Sequence, residues 1–218
     1  MKKVSLFVSG LLFLLITTCS TDNIIKVACI GDSITYGSGI KNRVHNSYPA
    51  QLDSILGIDY DVRNYGISGR TMLKHGDYPY WDEETYRCAR EFNPDIVIIK
   101  LGTNDTKPWN WKYSDEFEQD YRKMINDFRL LSSAPEILLC YPVPVFETKW
   151  GISDSVIVYG IIPAIDNLAA EFDLRIIDLY KPFVDDENLF PDKIHPDAEG
   201  AGQMAEIISD AIKHSFAN

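Results

Sequence analysis

The sequence lacks the features on which several large classes of protein depend. The apolar run near its start, residues 4–16, is too short to cross a bilayer as a helix. Basic residues are a minority, since 21 Lys and Arg face 32 Asp and Glu for a net charge of −11. Such a balance disfavours binding to nucleic acid. No Gly-x-Gly-x-x-Gly motif follows the first segment with strand character, so a dinucleotide site is not expected.

Cysteine and histidine are also scarce, with four residues of each. Cys29 and Cys140 lie inside apolar runs, which favours buried thiols over a disulfide framework. His45, His75 and His214 show no spacing typical of metal ligands. We therefore expect neither a metal site nor a cofactor.

The first residues have the pattern of an export signal. Two lysines, Lys2 and Lys3, precede the apolar run at 4–16, and polar residues follow it. A basic start followed by a short apolar segment is typical of a secretory signal peptide. We therefore expect residues 1–18 to be removed during export.

The cysteine after this signal indicates lipid attachment. The sequence Ile-Thr-Thr-Cys that ends at Cys19 resembles a loose bacterial lipobox, although Thr18 stands where Gly, Ala or Ser is commoner. The alternative is an ordinary cleaved signal with an incidental cysteine. We expect lipid at Cys19 to hold the protein to a membrane, with residues 19–23 as a short tether. This predicts an exported bacterial lipoprotein that faces the periplasm or lies at the cell surface.

Apolar, β-branched segments alternate with segments of helical spacing along the rest of the chain. The predicted strands are 24–30, 60–64, 96–101, 137–141 and 174–179. The predicted helices are 47–56, 82–92, 115–131, 155–172 and 197–214. This alternation is typical of parallel βαβ units, so we expect one α/β domain over residues 24–218, with helices on both faces of an open sheet.

Four polar segments are predicted to meet at one edge of this sheet. In an open parallel sheet, ligands bind beyond the carboxyl ends of the strands. Three segments directly follow the first three strands, and the fourth precedes the last helix. They are GDSITYG (31–37), NYGISGRT (64–71), LGTNDTK (101–107) and LFPDKIHP (189–196).

Ser33 is a candidate nucleophile in the first of these segments. A serine hydroxyl needs a positioned base, and His195 is the candidate because Asp192 lies three residues before it. One tight turn at that spacing brings the carboxylate to the far ring nitrogen, as in a Ser-His-Asp triad. Taken singly, each feature has a structural alternative: Ser33 ends a strand and caps a helix, and residues 192–196 form a surface turn between prolines.

Acyl transfer also needs donors aimed at the developing oxyanion. Gly69 offers a backbone N–H without a side chain in the way, Asn104 offers a side-chain amide, and Ser33 offers its own N–H. The alternatives are a turn that needs positive φ at Gly69 and an Asx turn at Asn104. These three groups are the candidate oxyanion hole.

In combination, the segments resemble the block pattern of the SGNH, or GDSL, hydrolase family. The matching elements are Gly-Asp-Ser, Gly-x-x-Gly-x-Thr, Gly-Thr-Asn-Asp and Asp-x-x-His-Pro, in that order. The resemblance implies a flavodoxin-like three-layer α/β/α sandwich with five parallel strands, and a serine esterase without a metal. Carried over by position, it makes Ser33 the nucleophile, Gly69 and Asn104 the oxyanion donors, and Asp192 and His195 the acid and base.

Within the family, three stretches resemble the branch of sialate O-acetylesterases and acetylxylan esterases. They are SYPAQL (47–52), NYGISGRTMLKHGDYPYW (64–81) and IKLGTND (99–105). This resemblance implies a carbohydrate O-acetylesterase that acts on an acetylated glycan or a small acylated sugar. Four tryptophans in the loops are candidates for stacking on sugar rings, with the sealing of small cores under the loops as the alternative: Trp81, Trp109, Trp111 and Trp150.

Two other functions are compatible with parts of this pattern. A lysophospholipase or thioesterase uses the same catalytic groups but needs an apolar acyl channel. A non-catalytic, glycan-binding surface lipoprotein on the same fold tolerates loss of the triad, yet this sequence retains every member. The sequence therefore favours hydrolysis of short acyl esters through an acetyl-serine intermediate.

Overall fold

The computed structural model describes residues 24–215, with five parallel strands in one sheet. The predictions for residues 1–23, namely the signal peptide, the tether and lipid at Cys19, lie outside the described residues. The strand order is β2-β1-β3-β4-β5, which is the flavodoxin-like order. The strands are β1 (Ile25–Gly31), β2 (Tyr60–Gly66), β3 (Ile96–Lys100), β4 (Glu136–Cys140) and β5 (Arg175–Ile177).

Helices connect the strands and vary widely in length. They are α1 (Ser33–Tyr36), α2 (Arg43–Asn46), α3 (Tyr48–Leu56), α4 (Glu84–Glu91), α5 (Pro108–Trp111), α6 (Ser114–Arg129), α7 (Asp154–Val156), α8 (Ile162–Phe172) and α9 (Ala198–Ser215). Single 3₁₀ turns lie at Tyr80–Asp82, Asn104–Thr106, Lys181–Phe183 and Glu187–Leu189. The five longer helical stretches match those predicted from the sequence, whereas the four-residue helices α1, α2 and α5 were not predicted.

Helices cover both faces of the sheet because successive residues of a strand point to opposite sides. In β1, Ala28 and Ile30 belong to the core cluster formed with α4, α6 and α8. Val27 and Cys29 belong to the opposite cluster, formed with α3 and α9. The predicted three-layer α/β/α sandwich is thus confirmed. Both cysteines predicted to be buried thiols, Cys29 and Cys140, are buried and free.

The fifth strand is shorter than the predicted segment 174–179. Its ladder ends at Ile177, and the Asp178 carboxylate Oδ1 then accepts the N–H groups of Tyr180 and Lys181, each at 2.9 Å. Such an Asx turn diverts the backbone from the ladder. Leu179 is nevertheless fully buried, which explains why the apolar pattern extends beyond the strand.

One helical stretch, Asp154–Phe172, contains a π-helical turn at Ile157–Ile161 between α7 and α8. By length and composition it is also the one stretch within residues 24–215 that is apolar enough to cross a membrane. Ile165 and Leu168 of α8 are buried against the sheet. The apolar face of α8 therefore serves the protein core.

The register of the strands brings three polar segments together. Gly31 at the end of β1 pairs with Gly66 of β2 on one side and with Lys100 of β3 on the other. The chain therefore leaves the sheet at three adjacent points. Gly66 also allows close packing, because a Cβ there would lie 2.3 Å from the backbone nitrogen of Tyr36 in α1. This contact places α1 directly on the strand ends.

Candidate active site

Ser33 is the first residue of α1 and follows the carboxyl end of β1. The helix is capped by Asp32, whose Oδ1 accepts the Ile34 N–H at 2.9 Å. Capping therefore does not use the Ser33 hydroxyl, which contacts His195 instead. Ser33 is 8% exposed and lines a cavity that opens to solvent.

His195 lies between Ser33 and Asp192. Its Nε2 is 2.8 Å from Ser33 Oγ, and its Nδ1 is 2.7 Å from Asp192 Oδ2. The other carboxylate oxygen of Asp192 accepts the backbone N–H of His195 at 2.7 Å and that of Ile194 at 3.0 Å. Lys193 has a left-handed backbone (φ 74°), which closes the tight turn expected from the spacing. The structure thus brings the three candidate triad residues together.

The hydrogen bonds around Asp192 keep its carboxyl group ionised. Partial burial alone raises its pKa, since a charged group loses hydration. The backbone and ring of His195 and the backbone N–H of Ile194 stabilise the charged form and outweigh this effect, so the pKa of Asp192 is lowered. An ionised Asp192 holds the proton on Nδ1 and leaves Nε2 free to face Ser33.

The candidate oxyanion donors line the same cavity, which has a volume of about 230 Å³. Gly69 has a φ of 81°, as expected for a turn that needs a glycine, and open space surrounds the position of its absent Cβ. The amide Nδ2 of Asn104 donates to the carbonyl of Arg70 at 3.2 Å, next to Gly69. The cavity is lined by Ser33, Ser38, Ser68, Gly69, Asn104, Lys107, Trp150, Ile152 and His195.

A buried ion pair lies beneath the nucleophile. Lys100, at the end of β3, places its Nζ 3.3 Å from Oδ1 of Asp32. Both side chains are at most 1% exposed, so each charge depends on the other for compensation. The pair ties the end of β3 to the residue before Ser33.

Of the four candidate substrate-binding tryptophans, Trp150 alone lines the cavity. The residue is 55% exposed, and its indole lies 6.0 Å from the His195 ring, measured between ring centroids. Its φ of 51° is unusual for a bulky residue, and Gly151 follows with a φ of 78°. This backbone turn directs an aromatic ring to the rim beside His195.

The other three tryptophans have different surroundings. Trp81 donates its Nε1–H to the carbonyl of Met72 at 2.7 Å, and Trp111 packs edge-on against Phe117. Both are partly buried and pack against the main core cluster, and neither lines the cavity, which favours the alternative that they seal the core beneath the loops. Trp109 is 49% exposed but is held by Asp77, whose Oδ2 accepts its Nε1–H at 2.9 Å.

Sequence reasoning missed several cavity residues. Lys107 has a nearly buried side chain that lies 3.5 Å from the Asp77 carboxylate. Partial burial raises the pKa of Asp77, but hydrogen bonds from Trp109 and Asn110 and the charge of Lys107 lower it overall. Lys107 ends the LGTNDTK segment, so its position after the third strand was a usable signal.

The cavity also contains two hydroxyls that were not singled out from the sequence: Ser68 lies in the NYGISGRT segment, whereas Ser38 carried no signal. Ser38 and Ser68 lie 2.6 Å apart, measured between their Oγ atoms, and join the loop after α1 to the loop after β2. Ile152 forms part of the apolar wall. Within residues 24–215, no group of three or more His, Cys, Asp or Glu side chains is arranged to hold a metal ion.

A known protein is similar to this chain over most of its length. An acetylxylan esterase from Xylanibacter ruminicola is 46% identical over 210 residues, which cover 88% of this chain and 44% of the relative. The chain thus spans less than half the length of the relative that it matches. The match therefore concerns one part of a longer protein.

Solved structures share the fold at lower identity. A carbohydrate acetylesterase from Sinorhizobium meliloti superposes with a TM-score of 0.68 at 20% identity, covering 88% of this chain and all of that one. The aryl esterase of M. smegmatis gives the same TM-score at 18% identity, over 87% of this chain and 99% of its own. The GDSL-like lipase/acylhydrolase family matches residues 29–202, which include every candidate catalytic and oxyanion residue. The chain therefore belongs to the GDSL-like lipase/acylhydrolase family.

Proposed function

We propose that this protein is a serine esterase that removes acetyl groups from carbohydrates. The observation that carries the proposal is the 2.8 Å distance between Ser33 Oγ and His195 Nε2. At this distance the imidazole takes the hydroxyl proton while Oγ attacks an ester carbonyl. Membership of an acylhydrolase family and the 46% identity to an acetylxylan esterase support the same activity.

In the acylation step, the carbonyl oxygen of the ester becomes an oxyanion. The N–H groups of Ser33 and Gly69 and the amide of Asn104 are the donors that stabilise this charge. Protonated His195 then gives its proton to the sugar oxygen, which leaves as a free hydroxyl. The acetyl group remains on Ser33 as an acetyl-serine.

In the deacylation step, water replaces the sugar. Neutral His195 takes a proton from the water, whose oxygen attacks the acetyl carbonyl. The same donors stabilise the second oxyanion, and as it collapses protonated His195 gives the proton to Ser33 Oγ, which releases acetate and regenerates the Ser33 hydroxyl. Asp192 remains ionised throughout and stabilises the imidazolium that forms in each step.

Two features favour a small acyl group on a sugar. The cavity volume of about 230 Å³ is below the roughly 300–1,000 Å³ of pockets that enclose drug-sized ligands. The leaving sugar oxygen must lie near His195, which donates a proton to it, and Trp150 lies beside that ring with its face partly exposed. An aromatic surface in this position suits the apolar face of a sugar ring.

The direct test is acetate release from a panel of acetylated xylan, acetylated pectin, O-acetylated sialic acid and acetylated monosaccharides. We expect release from at least one of these by the native protein and loss of release in Ser33→Ala. Retained hydrolysis in Ser33→Ala would contradict the mechanism. If the protein binds glycans but hydrolyses none of these esters, it is instead a non-catalytic glycan-binding protein.

The acyl chain length separates the proposal from a lysophospholipase or thioesterase. We expect p-nitrophenyl acetate to be cleaved faster than p-nitrophenyl octanoate, because the cavity offers little room for a long chain. A preference for octanoate, or for an acyl thioester, would assign the protein to the alternative class.

We further propose that lipid at Cys19 anchors the protein to a membrane of an exporting bacterium. The supporting observation is the lipobox-like sequence that ends at Cys19. Detergent partitioning of native protein and of Cys19→Ala tests this: only the native protein should enter the detergent phase, and equal partitioning would exclude the anchor.

A further inference from the structure

Asp105 is a fully buried carboxylate next to the oxyanion donor Asn104. Its Oδ2 accepts the N–H of Met72 at 3.0 Å, and its Oδ1 accepts the N–H of Leu73 at 2.7 Å. Met72 and Leu73 lie more than thirty positions earlier in the chain, in the loop after β2. One side chain therefore joins two loops through two hydrogen bonds.

These two loops carry the two distant oxyanion donors. Gly69 is three residues before Met72, and Asn104 directly precedes Asp105 in the same 3₁₀ turn. The side chain of Asn104 also donates to the carbonyl of Arg70 at 3.2 Å. The separation between the Gly69 N–H and the Asn104 amide thus depends on how firmly the loops are joined.

Asn110 forms a second connection between the same loops. Its Nδ2 donates to the carbonyl of Asn104 and to Oδ1 of Asp77, each at 2.9 Å, and its Oδ1 accepts the Asp77 N–H at 2.8 Å. Asn110 is 1% exposed, so its amide depends on these contacts. Asp105 and Asn110 therefore hold the loop after β2 at two points C-terminal to Gly69. Asp105 holds it at Met72 and Leu73, and Asn110 holds it at Asp77.

We propose that Asp105 is a positioning residue that sets the distance between the two oxyanion donors, with Asn110 as a second, weaker brace. The inference rests on the proposed esterase function. It adds a role for two residues that do not line the catalytic cavity. A carboxylate is the suitable group, because its two oxygens accept two parallel N–H bonds at once, whereas a carboxamide offers one acceptor and one donor.

Burying the Asp105 carboxylate is unfavourable for folding, because the charged group loses its hydration. Burial raises the pKa of Asp105 to about 7 despite the hydrogen bonds from Leu73 and Met72, and the charge of Asp32 adds to the rise. Tyr121 also faces it, and Asp32 itself is paired with Lys100. Ionised Asp105 is therefore unfavourable for the fold taken alone. Its retention beside Asn104 is explained if it orients groups for catalysis.

Asp120 provides a matched control. It lies on α6, is 6% exposed, and its Oδ2 accepts the N–H of Lys74 at 2.8 Å. Lys74 is the residue after Leu73, so Asp105 and Asp120 both accept backbone N–H groups at neighbouring positions of one loop, and Asp120 also pairs with Lys74 Nζ at 3.2 Å. Asp120, however, has no connection to the Asn104 turn among the hydrogen bonds of the described residues. If only loop stability matters, both substitutions should have the same effect.

The experiment compares Asp105→Asn and Asp120→Asn with the native protein on p-nitrophenyl acetate. Misplaced oxyanion donors weaken transition-state binding more than substrate binding, so for Asp105→Asn we expect kcat to fall by about 30- to 300-fold while KM changes by less than about threefold. Affinity for phenylboronic acid, which forms a tetrahedral adduct on the serine, should fall in parallel. Asp120→Asn should keep kcat within about threefold of native, with a lower Tm.

Two results would overturn the inference: a near-native kcat in Asp105→Asn, or an equal loss of kcat in Asp120→Asn. Should Asp105→Asn fail to fold, Asn110→Ala decides, with an expected fall in kcat of about 5- to 30-fold at nearly constant KM. A native kcat in that variant overturns the inference as well. Absence of ester hydrolysis by the native protein would instead refute the proposed function, so the two failures are distinguishable.

Discussion

The two halves of the candidate site are built in different ways. The acid–base arm, Asp192 to His195, is formed within four residues, and its internal hydrogen bonds span two or three positions. The oxyanion arm, Gly69 with Asn104, depends on bonds between two loops that are more than thirty positions apart. Because short-range contacts form with little loss of chain entropy, the first arm is secured by a local turn, and the second needs the assembled fold.

This difference determines which changes each arm tolerates. Substitutions in distant loops should leave the geometry of Asp192 and His195 intact, since the Asp192 carboxylate closes the turn by accepting the backbone N–H groups of Ile194 and His195. The same substitutions disturb Gly69 and Asn104 if they alter Met72, Leu73 or their partners. Graded substitutions in each arm therefore test the comparison.

The largest effect should follow from removing the bond that joins the acid–base arm to the nucleophile. Ser33→Ala or His195→Ala should lower kcat by about four to six powers of ten, because each abolishes covalent catalysis. Single-turnover and steady-state hydrolysis of p-nitrophenyl acetate measure this loss. The double variant should be no worse than either single one, and additive losses would mean that the two residues do not act as one unit.

Asp192→Asn should lower kcat by about three to four powers of ten, because an amide no longer stabilises the imidazolium or fixes its tautomer. The lowered pKa of Asp192 means that it stays charged well below neutral pH. Loss of activity on acidification should therefore not come from Asp192, whereas Asp105, whose pKa is raised to about 7 by burial, would contribute to it. A near-native kcat in Asp192→Asn between pH 5 and pH 8 would contradict the role of Asp192.

The pH dependence of stability should report Asp105. Its pKa rises from 3.8 in the unfolded chain to about 7 in the folded protein, so between these values the folded state binds the extra proton. The free energy of unfolding is therefore highest below about pH 4 as far as this group is concerned. It falls as pH rises to about 7, by up to about 4 kcal/mol in total. Denaturant unfolding at pH 5 and pH 8 covers about two of these three pH units, so the free energy of unfolding should fall by about 2–3 kcal/mol in native protein and not in Asp105→Asn. An equal fall in both proteins would refute the assignment.

Asn104→Ala should cost about a hundred- to a thousandfold in kcat, which is the usual effect of deleting one oxyanion donor. KM should change little, since the oxyanion exists only in the transition state. The variant keeps the triad, so an active-site serine reagent should still label Ser33. A loss as large as that of Ser33→Ala would indicate that Asn104 also supports the acid–base arm.

The smallest effect should follow from Trp150→Ala, at the rim beside His195. We expect kcat/KM on an acetylated xylo-oligosaccharide to fall by about tenfold, as the sugar loses its aromatic contact. Hydrolysis of p-nitrophenyl acetate serves as the internal control and should stay within about threefold of native. Equal losses on both substrates would mean that Trp150 positions His195 and does not bind the sugar.

The sequence predicted the fold well because strands and motifs leave local signals. The five parallel strands and the helical layers on both faces are confirmed. The fifth strand was overextended because the buried Leu179 continues the apolar pattern after Asp178 has turned the backbone. Helices of four residues, such as α1 and α5, are too short to show a helical period.

The site was predictable only where its residues carry a motif. The turn from Asp192 to His195 follows from spacing, and Gly69 and Asn104 follow from the family pattern. The roles of Asp105 and Asn110 depend on which distant backbone groups their loops approach, which no local pattern encodes. Trp81 and Trp111 lie in loops, yet both pack against the core, and loop position alone does not distinguish this from a ring that contacts substrate.

The 162 positions between Ser33 and His195 have a consequence for biogenesis. The nucleophile lies near the start of the fold, and the base directly precedes the last helix, α9, which packs against α3. A chain that is still being synthesised therefore carries the serine without its base. The proposed esterase activity should appear only after the C-terminal segment has docked, so the first turnover requires the completed fold.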